Sequence, residues 1–178
     1  LLGDLLHGEC GYRPDLRGLK LAPEANGYWN QWRLEHSKKR NGDLYPTHGL
    51  GPVAQGMNIN RGNKFDYLVS MATRSCSLNL FAAKMKEYGP SHELAKYKYK
   101  LGDVVTTIIR THNGETIVIT HDTNTPRPYS RDYMVQGTKG IVQKYPKELA
   151  YIEGTGPDAW QELSKYQAEW EHPLWKFM

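Results

Sequence analysis

Residues 103–122, DVVTTIIRTHNGETIVITHD, decide the fold class of this chain. Two runs of alternating β-branched side chains flank the dipeptide Asn113-Gly114. β-branched residues favour strands, and Asn-Gly is a preferred pair for the type I′ turn of a tight hairpin. The segment therefore predicts an antiparallel β-hairpin closed by a type I′ turn.

Further strands are predicted on both sides of this hairpin. Residues 4–12, DLLHGECGY, and residues 65–73, FDYLVSMAT, precede it, and the second of these alternates apolar and polar side chains. Residues 134–145, MVQGTKGIVQKY, and residues 148–153, ELAYIE, follow it, with glycines and a proline at the turns. Strands that follow one another through short turns predict antiparallel pairing.

The helices are predicted away from these strands. Residues 77–89 and 91–100 are helical or irregular, and residues 158–172, DAWQELSKYQAEWEH, are predicted as one amphipathic helix. Residues 13–27 contain proline, glycine and asparagine without a period, and residues 121–133 contain two prolines and few apolar residues, so both segments are predicted as loops. Together these segments predict an α+β fold, with one large, mainly antiparallel sheet packed by helices.

The composition excludes several classes of protein. The 178 residues are 39% hydrophobic, which is enough for one domain over residues 1–178, and no apolar run is long enough to span a membrane. Cys10 and Cys76 stand far apart, and no His or carboxylate spacing is typical of a metal site. The net charge is +4, but the one tight basic run, residues 38–40, suits a solvated loop. We therefore predict no metal, no membrane partner and no nucleic-acid partner.

The stretch at residues 41–52, NGDLYPTHGLGP, is the candidate site. Pro46 fixes its own backbone and favours an extended conformation at Tyr45, while Thr47 is a good N-cap for a helix that runs to residue 60. His48 then falls in the first turn of that helix. A histidine there can carry acid–base chemistry, and the alternative is a loop histidine without a role.

A second cluster, with the aromatic residues Trp29 and Trp32 beside Arg33, has two interpretations. The rings cover the face of a sugar, or they are buried in the core, which is the commoner situation for a tryptophan. Asp122 is interpreted as a loop hydrogen-bond acceptor. The remaining histidines are interpreted as structural or solvated: His7, His36, His92, His112, His121 and His172.

Several runs in order resemble glycoside hydrolase family 109, within the Gfo/Idh/MocA oxidoreductase-like superfamily. These runs are NGDLYPTHGLGPVAQGMNINRG, DYLVSM, KYKLGDVVTTIIRTHNGETIVITHDTNTPRPYSR and VQGTKGI. The resemblance implies an NAD-dependent glycosidase acting on α-linked N-acetylgalactosamine. It also implies an N-terminal Rossmann domain and a C-terminal domain with a large sheet, and this chain resembles most of the latter.

The sequence itself carries no GxGxxG fingerprint in its 178 residues, so the dinucleotide site is expected mainly in a preceding domain. The chain opens on Leu1 without a methionine, and we expect it to be a fragment of a longer protein. By resemblance, we expect the open face of the sheet to pack in a homodimer. We also expect the full-length protein to be exported, for example to the periplasm.

The resemblance also assigns the site residues. Tyr12 in ECGYRPDLR matches a substrate-side tyrosine, and Arg33 in WNQWRLEH matches an arginine that holds the sugar. The residues of the YPTH motif match substrate-binding positions: Tyr45, Pro46, Thr47 and His48. Tyr129 in RPYSR matches a tyrosine that closes the site, and both Tyr45 and Tyr129 are expected to contact NAD.

The chemistry implied is unusual for a glycosidase. Hydride leaves C3 of the sugar for NAD, the ketone acidifies C2, the group at C1 is eliminated, water adds, and the hydride returns. We expect His48 to transfer the proton at the C3 oxygen or to polarise it, and Tyr12 or Tyr45 to act at C2. A tyrosine base needs a pKa lowered from about 10 by a cation, which Arg33 or the nicotinamide can supply. Arg33 orients the sugar and Tyr129 contacts it at the rim.

Two alternatives stay open at this point. The first is an NAD(P)-dependent sugar oxidoreductase of the same superfamily, without net glycoside cleavage. The second is a carbohydrate-binding domain in which Trp29, Trp32 and the tyrosines only stack on sugars.

Overall fold

A computed structural model describes residues 1–156 and 158–177 of the chain. Within these residues, eight strands form one sheet in the order β2-β3-β4-β1-β5-β6-β7-β8. The strands are β1 Leu5–Tyr12, β2 Phe65–Ala72, β3 Val104–Thr111, β4 Thr116–Asp122, β5 Met134–Gly137, β6 Gly140–Gln143, β7 Leu149–Ile152 and β8 Gln161–Glu162.

The sheet is mixed but mainly antiparallel. β1 runs parallel to β4, with Tyr12 opposite His121, and the other strand pairs are antiparallel. The six α-helices within the described residues are α1 Arg17–Leu21, α2 Trp32–Lys39, α3 Thr47–Gly56, α4 Ser77–Lys84, α5 Glu93–Lys96 and α6 Ser164–Trp170. The predicted α+β fold with a large, mainly antiparallel sheet is confirmed.

The hairpin β3–β4 forms as predicted, but its turn is of a different type. Gly114 has a φ of +106°, whereas Asn113 is not among the residues with positive φ, which a type I′ turn requires at both central positions. The Gly114 N–H donates to the carbonyl of Thr111 at 3.1 Å, and the Thr111 N–H donates to the carbonyl of Glu115 at 2.9 Å. The loop therefore has three residues, with glycine in the left-handed position.

Two packed layers position the candidate site. α3 lies on the centre of the sheet, where Val53 and Met57 join Cys10, Ile109 and Ile119 in one buried cluster. A second buried cluster joins the helices α1, α2, α4 and α5 beside the sheet: Leu21, Leu34, Leu78, Ala82, Leu94 and Tyr99. These two clusters fix α2 and α3, which carry the predicted site residues, relative to the end of β1.

Several local predictions were wrong. Residues 13–27 were predicted as a loop but contain α1, because Leu21 is wholly buried in the helical cluster. The helix predicted for residues 158–172 is limited to α6, Ser164–Trp170, since residues 161–162 pair with β7 as strand β8. α3 ends at Gly56 rather than at residue 60, and Asn58 and Asn60 just beyond it have left-handed backbones.

Strand β2 differs from the rest of the sheet. It was predicted as an alternating strand, and it is a strand at the edge of the sheet, but all eight of its residues are exposed. Within the described part of the chain, no helix combines the length and apolarity that crossing a membrane needs.

Candidate functional site

The site forms where the end of β1 meets the start of α3. A Cβ placed on Gly49 would lie 2.6 Å from the backbone nitrogen of Gly11, so this approach of the helix to the strand needs glycine. Tyr12 ends β1 and His48 lies in the first turn of α3, so the contact brings their rings together with 5.4 Å between the centroids. The sequence places the glycines where the two elements cross and the functional side chains beside them.

Tyr45 completes a group of three rings in mutual contact. Its ring centroid lies 4.8 Å from that of Tyr12 and 4.9 Å from that of His48. The Tyr45 N–H donates to Oδ1 of Asp43 at 2.8 Å, and the Tyr133 hydroxyl donates to the carbonyl of His48. Burial raises the pKa of Asp43, and the hydrogen bond from Tyr45 opposes this rise. The turn before α3 is therefore held by a side chain on each side of it.

Arg33 lies against the same rings. Its guanidinium carbon is 5.5 Å from the ring centroid of Tyr12, 5.1 Å from that of Tyr28, 4.4 Å from that of Trp32 and 4.9 Å from that of Tyr45. The side chain is almost fully buried, and its Nε has no hydrogen-bond partner among the described residues. A desolvated guanidinium walled by aromatic faces has donor capacity left for a ligand.

The pKa of Tyr12 reflects two opposed effects. Burial raises it above 10.0, and Arg33 lowers it, while Tyr28, Tyr129 and Tyr45 add smaller raising contributions. The predicted influence of Arg33 on a tyrosine is therefore present, but burial outweighs it. In this chain Tyr12 keeps its proton at neutral pH.

Tyr129 lies at the rim of the ring group rather than inside it. It is 45% exposed, its ring is 6.1 Å from that of Tyr145, and Arg131 donates from Nε to its hydroxyl. The loop that carries it is tied to the end of β1, because Arg13 and Ser130 exchange backbone hydrogen bonds at 3.1 and 3.2 Å. This loop was predicted, and it brings Tyr129 near enough to Tyr12 to raise the pKa of Tyr12 slightly.

Pro46 and Thr47 are exposed at the start of α3. Thr47 is the first helical residue and its side chain makes no capping hydrogen bond, so its prediction as the N-cap was wrong; Pro46 holds that position. Pro46 also borders an apolar groove of about 470 Å³ that extends to β2, lined in part by Asp43, Leu50 and Leu68.

The two tryptophans were expected more often in a core, and neither is in one. Trp29 is 75% exposed and Trp32 is 37% exposed, while Trp32 packs on Arg33 and Tyr28. Of the two interpretations, the structure favours an aromatic surface over core burial. Asp122 accepts hydrogen bonds from Asn124, Thr125 and Arg127, as predicted for a loop acceptor.

A group of polar side chains behind Arg33 was not predicted as part of the site. Lys20, His121 and Thr123 line a small buried cavity together with Trp32, Arg33 and Leu44. His121 is 1% exposed, and its Nδ1 has no hydrogen-bond partner among the described residues. The pKa of His121 is lowered to about 3, first by burial and then by the charges of Lys20 and Arg33, so the ring is neutral. For Lys20 the signal available was its position between Leu19 and Leu21, and Asp43 was recognisable as the start of an Asx turn.

The residues present fit one end of NAD. Tyr45 in the ring group and Tyr129 at its rim offer aromatic surface, which suits a flat nicotinamide ring. The part of the chain described here contains no strand, glycine turn and helix for a pyrophosphate, and no group of three or more His, Cys, Asp or Glu residues suited to a metal ion. The site itself contains a histidine, phenols and a guanidinium. These groups can move a proton and hold an oxygen.

The chain matches a family of known proteins over its whole length. The family model described as "Glycosyl hydrolase 109, C-terminal domain" matches residues 1–178. A "Glycosyl hydrolase family 109 protein" of Stenotrophomonas maltophilia (strain K279a) is 45% identical over 99% of this chain and 42% of its own length. An "Alpha-N-acetylgalactosaminidase" of Tannerella forsythia is 42% identical over 98% of this chain and 40% of its own length.

The fold is also similar to that of solved structures. An inositol dehydrogenase homolog from Azotobacter vinelandii, complexed with NADH and myo-inositol, gives a TM-score of 0.53 at 16% identity, over 90% of this chain and 36% of that one. This likeness concerns the fold alone. The chain spans about two fifths of the length of the curated relatives it matches. It belongs to glycosyl hydrolase family 109 and forms the C-terminal domain of that family.

Proposed function

We propose that the full-length protein containing this chain is an NAD-dependent glycosidase that hydrolyses terminal α-linked N-acetylgalactosamine. The observation that carries the proposal is the meeting of Tyr12, Arg33, Tyr45 and His48, which come from β1, α2 and the start of α3, in one ring-walled site. Family membership and the name of the Tannerella forsythia relative support it. Residues 1–178 would form the substrate-binding and catalytic domain.

Each residue has a role that its surroundings suit. The Arg33 donors would hold sugar oxygens, because the guanidinium is buried among aromatic faces and its Nε has no partner among the described residues. His48 would take the proton of the C3 hydroxyl, and Tyr129, together with Pro46 and Thr47, would contact the sugar from the exposed rim. When bound, NAD would supply the hydride acceptor and donor for C3.

The proton at C2 would go to Tyr45 or to Tyr12. Tyr12 holds its proton in this chain because burial raises its pKa, so it serves as a base only where further positive charge lowers that pKa. In its protonated form, the phenol of Tyr12 can donate a hydrogen bond to a sugar oxygen. This assignment needs no pair of carboxylates across the glycosidic bond, which ordinary glycosidases use.

The test uses the purified full-length protein with catalytic NAD and an aryl α-N-acetylgalactosaminide. We expect release of free N-acetylgalactosamine without net reduction of NAD. If NADH accumulates in proportion to substrate instead, the protein is a sugar oxidoreductase and the glycosidase proposal fails. Residues 1–178 alone should show no turnover, because the described part of the chain includes no dinucleotide-binding unit.

The variant His48→Ala separates catalysis from sugar binding. Loss of a general acid–base group should lower kcat by about 10²–10⁴-fold, while binding of N-acetylgalactosamine, measured by calorimetry, changes far less. A carbohydrate-binding domain would show no turnover in the wild type and unchanged affinity in the variant. His36→Ala, on α2 and away from the three rings of Tyr12, Tyr45 and His48, is the matched control.

We also propose a homodimer through the outer face of the sheet. Tyr67, Val69 and Met71 on β2 and Ile108 on β3 lie side by side on that face with 60, 61, 74 and 52% of their surface exposed. Exposed apolar groups of this size favour association. Val69→Asp should convert the full-length protein from dimer to monomer in light scattering, and a wild-type monomer would reject the proposal. Export stays a prediction.

A further inference from the structure

Lys20 is a buried lysine that none of the proposed chemistry uses. It lies on α1 with 2% of its surface exposed. Its Nζ bonds with Oγ1 of Thr123 at 2.6 Å, Oδ1 of Asn124 at 2.7 Å and Oγ of Ser37 at 3.3 Å. Burying a lysine is costly unless its donors are matched, and here each of the three N–H groups has an oxygen.

The three oxygens belong to helix α2, which carries Arg33, and to the loop after β4, which carries Tyr129. Ser37 lies on α2, and its hydroxyl donates to the carbonyl of Arg33 at 2.8 Å. Because the Ser37 proton is used there, its oxygen accepts from Lys20. The chain of contacts from Lys20 through Ser37 therefore ends on the backbone of Arg33.

The other two partners begin the loop that carries Tyr129. Thr123 and Asn124 follow β4 directly and are wholly buried. The carbonyl of Thr123 also accepts from the Leu16 N–H at 3.2 Å, at the start of α1. One amine thus ties α1 to α2 on one side and to the root of the Tyr129 loop on the other.

The charged groups that face Lys20 come from three other elements. Arg33 on α2 and His121 on β4 share a cavity wall with it, Asp122 ends β4, and Asp103 precedes β3. The pKa of Lys20 is lowered to about 7, mainly by burial and also by the charge of Arg33, while Asp122 and Asp103 oppose the shift. His121 stays neutral, so Lys20 is the group here whose charge changes near neutrality.

The hydrogen bonds accommodate both protonation states. The ammonium donates to Ser37, Asn124 and Thr123. The neutral amine can donate to Ser37 and Asn124 and accept from the Thr123 hydroxyl, which is free to reverse direction. Losing the proton therefore turns these three charge-assisted hydrogen bonds into weaker neutral ones and leaves no group without a partner.

We propose that Lys20 is a positioning residue for sugar binding: it holds the backbone of Arg33 through Ser37 and the root of the Tyr129 loop through Thr123 and Asn124, more firmly when protonated. This rests on the proposed function, in which Arg33 and Tyr129 contact the sugar. Binding weakens as the amine loses its proton, and the chemical step, which uses other groups, changes little.

The test compares Lys20→Met and Ser37→Ala in the full-length protein with wild type from about pH 6 to about pH 9. In the wild type, KM for the aryl glycoside should rise about threefold to tenfold over this range, the loss expected for one charge-assisted hydrogen bond. Lys20→Met should show the raised KM at every pH, with kcat within about twofold. Lys39→Met, on the exposed side of α2, is the matched control.

Ser37→Ala keeps the lysine and cuts only its link to Arg33, so it tests the proposal should Lys20→Met fail to fold. Its KM should rise at least about threefold with kcat unchanged. A KM and pH profile that match wild type in Ser37→Ala, or in a folded Lys20→Met of lower melting temperature, would mean that Lys20 is only structural and would overturn the proposal.

A second readout does not depend on turnover. In protein labelled with ¹³C-lysine, one side-chain resonance that is absent from Lys20→Met should titrate near pH 7. Its titration near pH 10 would contradict the proposal even if the enzyme is active. If the wild type shows no glycosidase turnover but this resonance titrates near neutrality and shifts in Ser37→Ala, the proposed function fails and the tie between Lys20 and α2 stands.

Discussion

Two buried cations stand a short distance apart in this domain and have opposite surroundings. Arg33 is walled by four aromatic rings and has an Nε without a partner among the described residues. Lys20 is held by three oxygens. Rings shield a charge without using its hydrogen-bond donors, whereas oxygens use them. Arg33 therefore has donors available for a ligand, whereas the donors of Lys20 hold its neighbours in place.

The largest effect is expected where the available cation is removed. Arg33→Met should lower kcat/KM of the full-length protein by about 10²–10³-fold, because two or more charge-assisted hydrogen bonds to the sugar are lost. Steady-state kinetics with the aryl glycoside measure this. Arg40→Met, at the exposed end of α2, should behave as wild type. A loss below about fivefold in Arg33→Met would show that the ring-walled guanidinium does not hold the substrate.

The rings themselves can be displaced without changing either cation. Gly49→Ala places a Cβ 2.6 Å from the Gly11 nitrogen, so α3 must move and carry Tyr45 and His48 away from Tyr12. We expect the domain to lose about 1–3 kcal/mol of stability in urea unfolding. The matched control is Gly51→Ala, in the same helix, where nothing lies within 4 Å of the new Cβ and a gain of about 0.5–1 kcal/mol is expected. Equal effects at the two glycines would contradict the close contact.

The effect that is smallest between neighbouring pH values concerns the charge of the oxygen-held cation, Lys20. The pKa of Lys20 is lowered to about 7 by burial, whereas an unfolded lysine has its ordinary value of 10.5. Between these values the unfolded chain binds more protons, so this group makes stability rise with pH, by at most about 1.4 kcal/mol per pH unit. Below pH 7 both states are protonated and the slope vanishes.

Urea unfolding of wild type and Lys20→Met at several pH values isolates this contribution. The difference in unfolding free energy should change in favour of wild type as pH rises above neutrality. Other groups that titrate in the same range cancel between the two proteins. A pH-independent difference would mean that the buried lysine has an ordinary pKa.

Much of the fold was predictable because its signals are local. β-branched alternation in residues 103–122 specified the hairpin, and glycine and proline positions marked the turns between the later strands. The type of the hairpin turn was not predictable, since Asn-Gly suits both a type I′ turn and a three-residue loop with glycine in the left-handed position. The short helix α1 was missed because its stability comes from tertiary burial of Leu21.

The candidate site divides in the same way. Tyr12, Arg33, Tyr45 and His48 were predicted through resemblance, and the structure brings them together; Tyr129 lies at the rim. The buried environment of Lys20 depends on Thr123 and Asn124, which lie more than 100 positions along the chain. The raised pKa of Tyr12 depends on how far its ring is buried. No sequence pattern encodes either quantity.

The position of β1 in the sheet has a consequence for assembly. β1 lies between β4 and β5, and among the described residues no other strand pairing joins β2-β3-β4 to β5-β6-β7-β8. The first strand in sequence therefore pairs only with strands more than a hundred residues later in the chain. Such non-local pairing slows folding. Because β1 also carries Tyr12, the pairings that join the two halves of the sheet also place this site residue. A partly folded domain would have neither a continuous sheet nor a place to bind sugar.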